Sequence, residues 1–375
     1  MTMGVPFLNL RAEYESLKPE IDRAVHDVLE SGYFVLGKKV EEFEAEFARY
    51  IGVKYAVGVN SGTSALYLAL RALKIGPGDE VITQANTFVA TCEAIAMTGA
   101  TPRLVDVDHR SRNMDTARIR EAITSKSKAL IPVHLYGLPA DMEGIADLAR
   151  EAGLFVIEDA AQAHGAECTV SGLRLRVGGI GDLGAFSFYP SKNLGCYGEG
   201  GAVVTRDEEL FRRLIMLRDH GQRGKHAHVM IGGNYRMSAF QGAVLGVKLK
   251  ILDRFNRKRA ELAEAYRDIL SRTGAVLPET SEGTTHVYHL YVVEVDGRDR
   301  LKELLARENI GTGIHYPSPV HLCPAFDYLG YRQGDFPVSE ALSRRILSLP
   351  MYPQLSVQDV QCVSQKIAGY LEQAI

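Results

Sequence analysis

One lysine stands out by its surroundings. Lys192 lies within Ser187–Gly201, SFYPSKNLGCYGEGG, a glycine-punctuated loop just past the apolar run Leu183–Tyr189. At the end of a buried strand, with Ser187 and Tyr189 beside it, desolvation can lower the pKa of an ammonium group and free its amine for Schiff-base chemistry. A loop lysine by itself is ordinarily solvated, so the assignment depends on other stretches. Phe155–Ala163, FVIEDAAQA, is an apolar run that closes on two carboxylates and then a glutamine, as a central parallel strand closes at the site-bearing edge of a sheet. A carboxylate there can pair with a protonated ring nitrogen. Tyr55–Leu70, YAVGVNSGTSALYLAL, passes from a β-type run through a Ser-Gly-Thr-Ser turn into a helical pattern. Amides at such a helix start, with no side chain on Gly62 to block approach, form a phosphate site. An imine-forming lysine, an acid for a pyridinium nitrogen and a phosphate cup are the parts needed to hold pyridoxal phosphate.

The elements that must position these residues follow from the alternation between Tyr55 and Thr205. The β-type runs YAVGV, DEVIT, RLVDV, KALIPVHL, LFVIEDA, GAFSFY and GAVVT are interspersed with helical stretches such as Thr87–Met97 and Asp141–Ala152. This predicts an α/β fold with a largely parallel sheet and a site at the strand C-termini, where the phosphate turn, Asp159 and Lys192 all fall. Ahead of it, the spacing predicts helices over Ala12–Leu29 and Val40–Tyr50, the second with Phe43, Phe47 and Tyr50 as a core stripe. Beyond it come helices over Asp207–Asp219 and Asn256–Ser271, a β-type run THVYHLYVVEV, a helix Arg300–Glu308 and a terminal helix from Val357.

At 375 residues the chain is long enough for two domains, here taken as 1–250 and 251–375, with residues 1–30 free to pack on the second. Its 46% hydrophobic and 24% charged content is that of a soluble globular protein. The net charge of −3 comes from interspersed acids and bases, which points to neither a nucleic-acid nor a membrane partner. The five cysteines are scattered, odd in number and without a CxxC pair, so no disulfide framework or metal site is expected. Cys196 reads as a packing residue. MTMGVPFLNL lacks a basic stretch followed by an apolar core, and the expected location is the cytoplasm.

SGTSAL, EDAAQAHGA, FSFYPSKNLG followed by GEGGAVVT, and GGNYRMSAFQGAVLG resemble, in order and spacing, the motifs of the DegT-type sugar aminotransferases. These are a branch of the fold type I pyridoxal-phosphate enzymes, and the resemblance covers essentially the whole chain. It implies a large, mostly parallel α/β/α domain and a smaller C-terminal α+β domain. The activity implied is transfer of an amino group, with L-glutamate as donor, to a keto group on a dTDP- or UDP-linked hexose. KNLGCYGEGG with HVYHLYVV favours C3 over C4.

The resemblance also assigns roles. Lys192 forms the Schiff base and shuttles the proton. Asp159 keeps the pyridine nitrogen protonated; Glu158 is adjacent, but strand alternation turns the two to opposite faces. Gly62, Thr63 and Ser187 form the phosphate cup, Phe88 stacks on the ring and Gln162 meets its phenolic oxygen. Asn234 reaches the phosphate from the neighbouring subunit, which implies a homodimer with shared sites. His315, Tyr316, Arg236 and Tyr33 are the expected substrate contacts, and His164 a packing residue. A dehydratase of the same fold is disfavoured because relatives of that kind carry histidine at the lysine position. A non-catalytic regulator would need a DNA-binding helix pair or a basic face, and neither is present.

Overall fold

The computed structural model describes residues 4–279 and 282–373. Nine strands occupy the first two-thirds of the chain: β1 Tyr55–Val59, β2 Glu80–Gln84, β3 Thr101–Val105, β4 Ser127–Ile131, β5 Phe155–Asp159, β6 Glu167–Val170, β7 Leu173–Arg176, β8 Leu183–Ser187 and β9 Gly201–Thr205. Seven of them form one sheet in the order β1-β9-β8-β5-β4-β2-β3. Every pairing from β8 to β3 is parallel, and β9 runs against both of its neighbours.

These strands read as unbroken apolar runs because both faces are covered. Successive residues point to opposite sides. Ala56, Val156, Phe186 and Ala202 join a core made with the helices Lys38–Ile51, Met142–Ala152 and Ala239–Leu249. Val57, Ile157, Ala185 and Val203 join a second core with the helices Gly62–Ala72, Ala90–Met97 and Glu208–Arg218. The result is a three-layer α/β/α arrangement, and the fold class expected from the sequence is the one found.

A separate core gathers the last third of the chain. The helices Leu252–Leu270, Arg298–Arg307 and Val357–Gln373 pack around the antiparallel pair β11 (Tyr291–Glu294) and β12 (Ile346–Leu349), the short β10 (Thr284–Thr285) preceding them. Val5 belongs to this core and pairs with Ile310, whereas the helix Lys18–Ser31 packs through Val28 and Ile21 on the helix Ala239–Leu249.

Three local differences from the sequence expectation have physical causes. The helix expected over 12–29 is two helices, Leu10–Ser16 and Lys18–Ser31, because Pro19 has no N–H and suits the first turn of a new helix. The hairpin β6–β7 was not anticipated; its turn residues Ser171 and Gly172 have φ of 50° and 76°, the doubly left-handed geometry that short hairpin turns favour. The run THVYHLYVVEV is not one strand. Between β10 and β11 the amides of Val287 and Leu290 bond to the carbonyls of Gly137 and Tyr136, and this detour carries His289 to the sheet's C-terminal edge.

Candidate active site

β1 ends at Val59, and the chain turns at Asn60 and Ser61 into the helix Gly62–Ala72. Ser61 caps that helix: its hydroxyl oxygen accepts the N–H of Ser64 at 3.1 Å. Gly62 and Thr63 open the helix with backbone N–H groups that have no acceptor among the described residues. Such amides carry the positive end of the helix and favour an anion. Ser187, the last residue of β8, stands against them. A Cβ on Gly62 would lie 2.6 Å from the Ser187 Cβ, so glycine is required for the approach.

β5 ends in Glu158 and Asp159, and the pleat separates them. Glu158, on the side of Val156, is fully buried and accepts N–H groups from Gly178 at 2.6 Å and from Ile180 and Gly181 at 2.7 Å, with His134 Nε2 at 3.0 Å. It ties β5 to the loop before β8. Asp159, on the side of Ile157, borders the cavity instead. Its Oδ2 accepts the Thr91 hydroxyl at 2.8 Å and its Oδ1 the Ala161 N–H at 3.2 Å. Burial raises its pKa, with Thr91 acting most strongly in the other direction.

The lysine loop is closed on itself. The N–H of Phe188 bonds to the carbonyl of Gly200, that of Cys196 to Phe188 and that of Lys192 to Tyr189, each at 2.8 Å. Asn193 anchors the loop from below, its amide donating to Asn256 Oδ1 and to the Val287 carbonyl, both at 2.9 Å. Lys192 is thereby held half-buried at the cavity wall. Desolvation pushes its pKa down to about 8 against the pull of Asp159. Cys196 is buried in the core, where its thiol donates to the Gly198 carbonyl and burial lifts its pKa to about 12. His164 is wholly buried against Phe186 and Phe188, and burial drives its pKa down to about 3.

Gln162, on the same cavity, is fixed between two partners: its Oε1 accepts the Tyr136 N–H at 2.7 Å and its Nε2 donates to the Tyr316 hydroxyl at 3.0 Å. Tyr316 lies 5.5 Å from Phe88, ring centre to ring centre. His315 Nδ1 is 2.8 Å from the hydroxyl of fully buried Ser348, and burial lowers the imidazole pKa to about 4. The ring is therefore neutral at ordinary pH.

Gly62, Thr63, Phe88, Asp159, Gln162, Ser187, Lys192, His315 and Tyr316 line a single cavity of about 430 Å³. Asn234, Arg236 and Tyr33 do not. Asn234 and Arg236 bond to one another at 3.0 Å, Arg236 pairs with Asp219 at 3.2 Å, and Tyr33 is 75% exposed. Thr91, Glu199 and His289 also line the cavity and were not foreseen. Thr91 follows Thr87 by four residues in ANTFVAT, one helical turn that could have flagged the pair. His289 was hidden by the reading of its segment as a strand. The set fits a phosphate-bearing aldehyde on a ring with a protonated nitrogen: free amides and a hydroxyl for the phosphate, a desolvated amine for the aldehyde, and a buried carboxylate for the nitrogen. Among the described residues no helix is long and apolar enough to cross a membrane, and all five cysteines are free thiols.

The chain is 48% identical over 355 residues to a Streptomyces venezuelae protein named dTDP-3-amino-3,4,6-trideoxy-alpha-D-glucose transaminase, covering 94% of this chain and 93% of that one. It is 43% identical over 371 residues to a Geobacillus stearothermophilus protein named pleiotropic regulatory protein, covering 98% and 99% respectively. Its structure matches the X-ray crystal structure of S. venezuelae DesV in complex with a ketimine intermediate, with a TM-score of 0.96 at 46% identity over 99% of each chain. Residues 15–368 match the family model, and the chain accordingly belongs to the DegT/DnrJ/EryC1/StrS aminotransferase family.

Proposed function

We propose that this protein transfers an amino group from L-glutamate to the keto carbon of a dTDP- or UDP-linked hexose, at C3 in preference to C4. The observation that carries the reading is the meeting of Lys192, Asp159 and the amides of Gly62 and Thr63 in one cavity. The relative named for a dTDP-3-amino sugar supports the sugar class and the C3 position. The cofactor assigned is pyridoxal 5′-phosphate, which when bound supplies an electron sink for the donor's α-carbon and carries the amino group between substrates.

The chain's own residues then have the following work. Gly62 and Thr63, with the Ser187 hydroxyl, bind the phosphate. Asp159 holds a proton on the ring nitrogen, and Phe88 covers the ring. Gln162, with one N–H committed to Tyr316, has its second N–H for the phenolic oxygen. Lys192 would bind the aldehyde carbon in the resting enzyme and, with its basicity lowered by burial, would move the proton on and off the reacting carbon once released. His315 and Tyr316 contact the sugar nucleotide.

A second copy of the chain completes each site in this reading. Asn234, Arg236 and Tyr33 lie off their own chain's cavity, beside exposed apolar residues that include Phe34, Val35, Val229 and Ile231. A cross-subunit contribution from Asn234 to the phosphate gives a two-fold dimer. Free thiols throughout suit the cytoplasm.

A regulatory reading draws on the name of the Geobacillus relative. The two are separated by one screen: purified protein with 3-keto and 4-keto nucleotide sugars and glutamate, Lys192→Ala as control. A yellow protein bleached by glutamate, turning over a 3-keto sugar and silenced in the variant, supports the transferase. A colourless protein without turnover on any sugar would remove it.

A further inference from the structure

Asp159 is held by more than its own strand. Its Oδ1 takes one N–H, from Ala161, and its Oδ2 takes one O–H, from Thr91 at 2.8 Å. An ionised carboxylate has no proton to give, so the single proton of the Thr91 hydroxyl is committed to it. The Thr91 oxygen also lies 3.2 Å from the Thr87 oxygen. With its own proton spent, Thr91 can only accept there, and Thr87 must donate. The direction of the chain is thus fixed as Thr87 to Thr91 to Asp159.

The three groups are 2%, 1% and 5% exposed, so solvent does not compete for these bonds. In such surroundings each hydrogen bond polarises the next and stabilises charge at the end of the chain. The segment that carries both threonines also carries Phe88 into the cavity. Its geometry is set by the Thr91 N–H bonding to the Phe88 carbonyl at 3.2 Å, at the entry to the helix Ala90–Met97. Threonine at 91 is β-branched and restricted to few rotamers about its first side-chain bond, and the one it occupies points the hydroxyl at Asp159.

We propose that Thr91 is a positioning residue for the transamination: its hydroxyl, oriented by Thr87, fixes the Asp159 carboxylate and keeps it ionised, so that the acid can hold the proton on the cofactor's ring nitrogen. The inference rests on the role given to Asp159 above. Burial opposes the ionised carboxylate, and Thr91 is the foremost influence in its favour. A valine at 91 keeps the shape and removes the donor, leaving the carboxylate with the Ala161 amide alone.

The test uses holoenzyme loaded with cofactor labelled with nitrogen-15 in the ring, whose chemical shift reports protonation of that nitrogen. Four variants are read beside the wild type: Thr91→Val, Thr91→Ala, Thr91→Ser and Asp159→Asn. Thr91→Val and Thr91→Ala should each move the ring-nitrogen signal part of the way toward the unprotonated value. Both should lower kcat by about tenfold to a hundredfold, the worth of a hydrogen bond to a charged group, with KM for the sugar substrate within about twofold. Thr91→Ser should restore signal and rate together. Asp159→Asn should move the signal the whole way. If the Val and Ala variants keep the wild-type signal while Asp159→Asn shifts it, the positioning role is wrong and the role of Asp159 stands. If Asp159→Asn leaves the signal unmoved, the role of Asp159 is wrong and this inference goes with it. Should the valine not fit, the smaller alanine carries the same readout.

Discussion

Lys192 should behave in the cofactor-free protein as an unusually weak base. Burial takes its pKa from the ordinary 10.5 to about 8, with Asp159 pulling upward. At pH 7 an amine titrating near 8 is roughly one-tenth free base, against roughly one part in three thousand for one at 10.5, a gain of about 300-fold in reactive amine. The same displacement is linked to folding. Between about pH 8 and 10.5 the unfolded chain keeps a proton on Lys192 that the folded chain has released, so stability rises with pH across that window. The contribution is complete above 10.5 and is lost as pH falls through about 8. Its upper bound is about 3 kcal/mol, reduced by the solvent contact Lys192 retains. Because tyrosines and cysteines titrate over the same range, the observable is the difference in stability between wild type and Lys192→Met. The kinetic assay is labelling with an amine-acylating reagent, followed at Lys192 by peptide mass spectrometry as pH is varied. Asp159→Asn removes the carboxylate that holds the pKa up, so its labelling midpoint should fall below that of the wild type. A wild-type midpoint near 10.5, or an upward move in Asp159→Asn, would refute the argument from burial.

The two adjacent carboxylates should separate cleanly. Asp159→Asn is expected to slow the half-reaction with glutamate on the order of a thousandfold. Glu158→Gln disturbs an acceptor of three backbone N–H groups, so denaturant melts should show a loss of about 2 to 3 kcal/mol, with the rate per folded molecule largely kept. The opposite ranking of rates would transfer the role to Glu158. Gly62→Ala sets a methyl 2.6 Å from the Ser187 Cβ, and cofactor retention by equilibrium dialysis should weaken by at least about tenfold; unchanged retention would take the cup elsewhere. Asn234→Asp and Lys192→Ala should each be poor enzymes alone. Refolded together in equal amounts, about a quarter of all sites should be native and activity should return. No recovery, with mixed dimers confirmed by mass, would place Asn234 outside a shared site.

How much of this was legible beforehand depended on whether a feature is local. Apolar runs of β1, β5, β8 and β9 announce a sheet covered on both faces, because strands buried on both sides need no polar alternation. Ser61-Gly62-Thr63 announces a helix start, and the end of β5 puts two carboxylates at the sheet edge. Those properties need only neighbours in sequence. The order of the strands, with β9 reversed between β1 and β8, is set by long-range pairing that no window of residues contains.

The same division runs through the site. The residue types at 62, 159 and 192 were determined by the sequence, as was the pleat that sends Glu158 and Asp159 apart. That His289 lines the cavity was decided by backbone bonds from Val287 and Leu290 to Gly137 and Tyr136, across about 150 residues of chain. The weak basicity of Lys192 likewise belongs to the fold. A lysine in a glycine-rich loop is an ordinary cation until Asn193, Asn256 and the carbonyl of Val287 draw its loop against the first core and much of the water around it is displaced. Side-chain identity supplies the groups; desolvation and direction arise only when distant segments close around them.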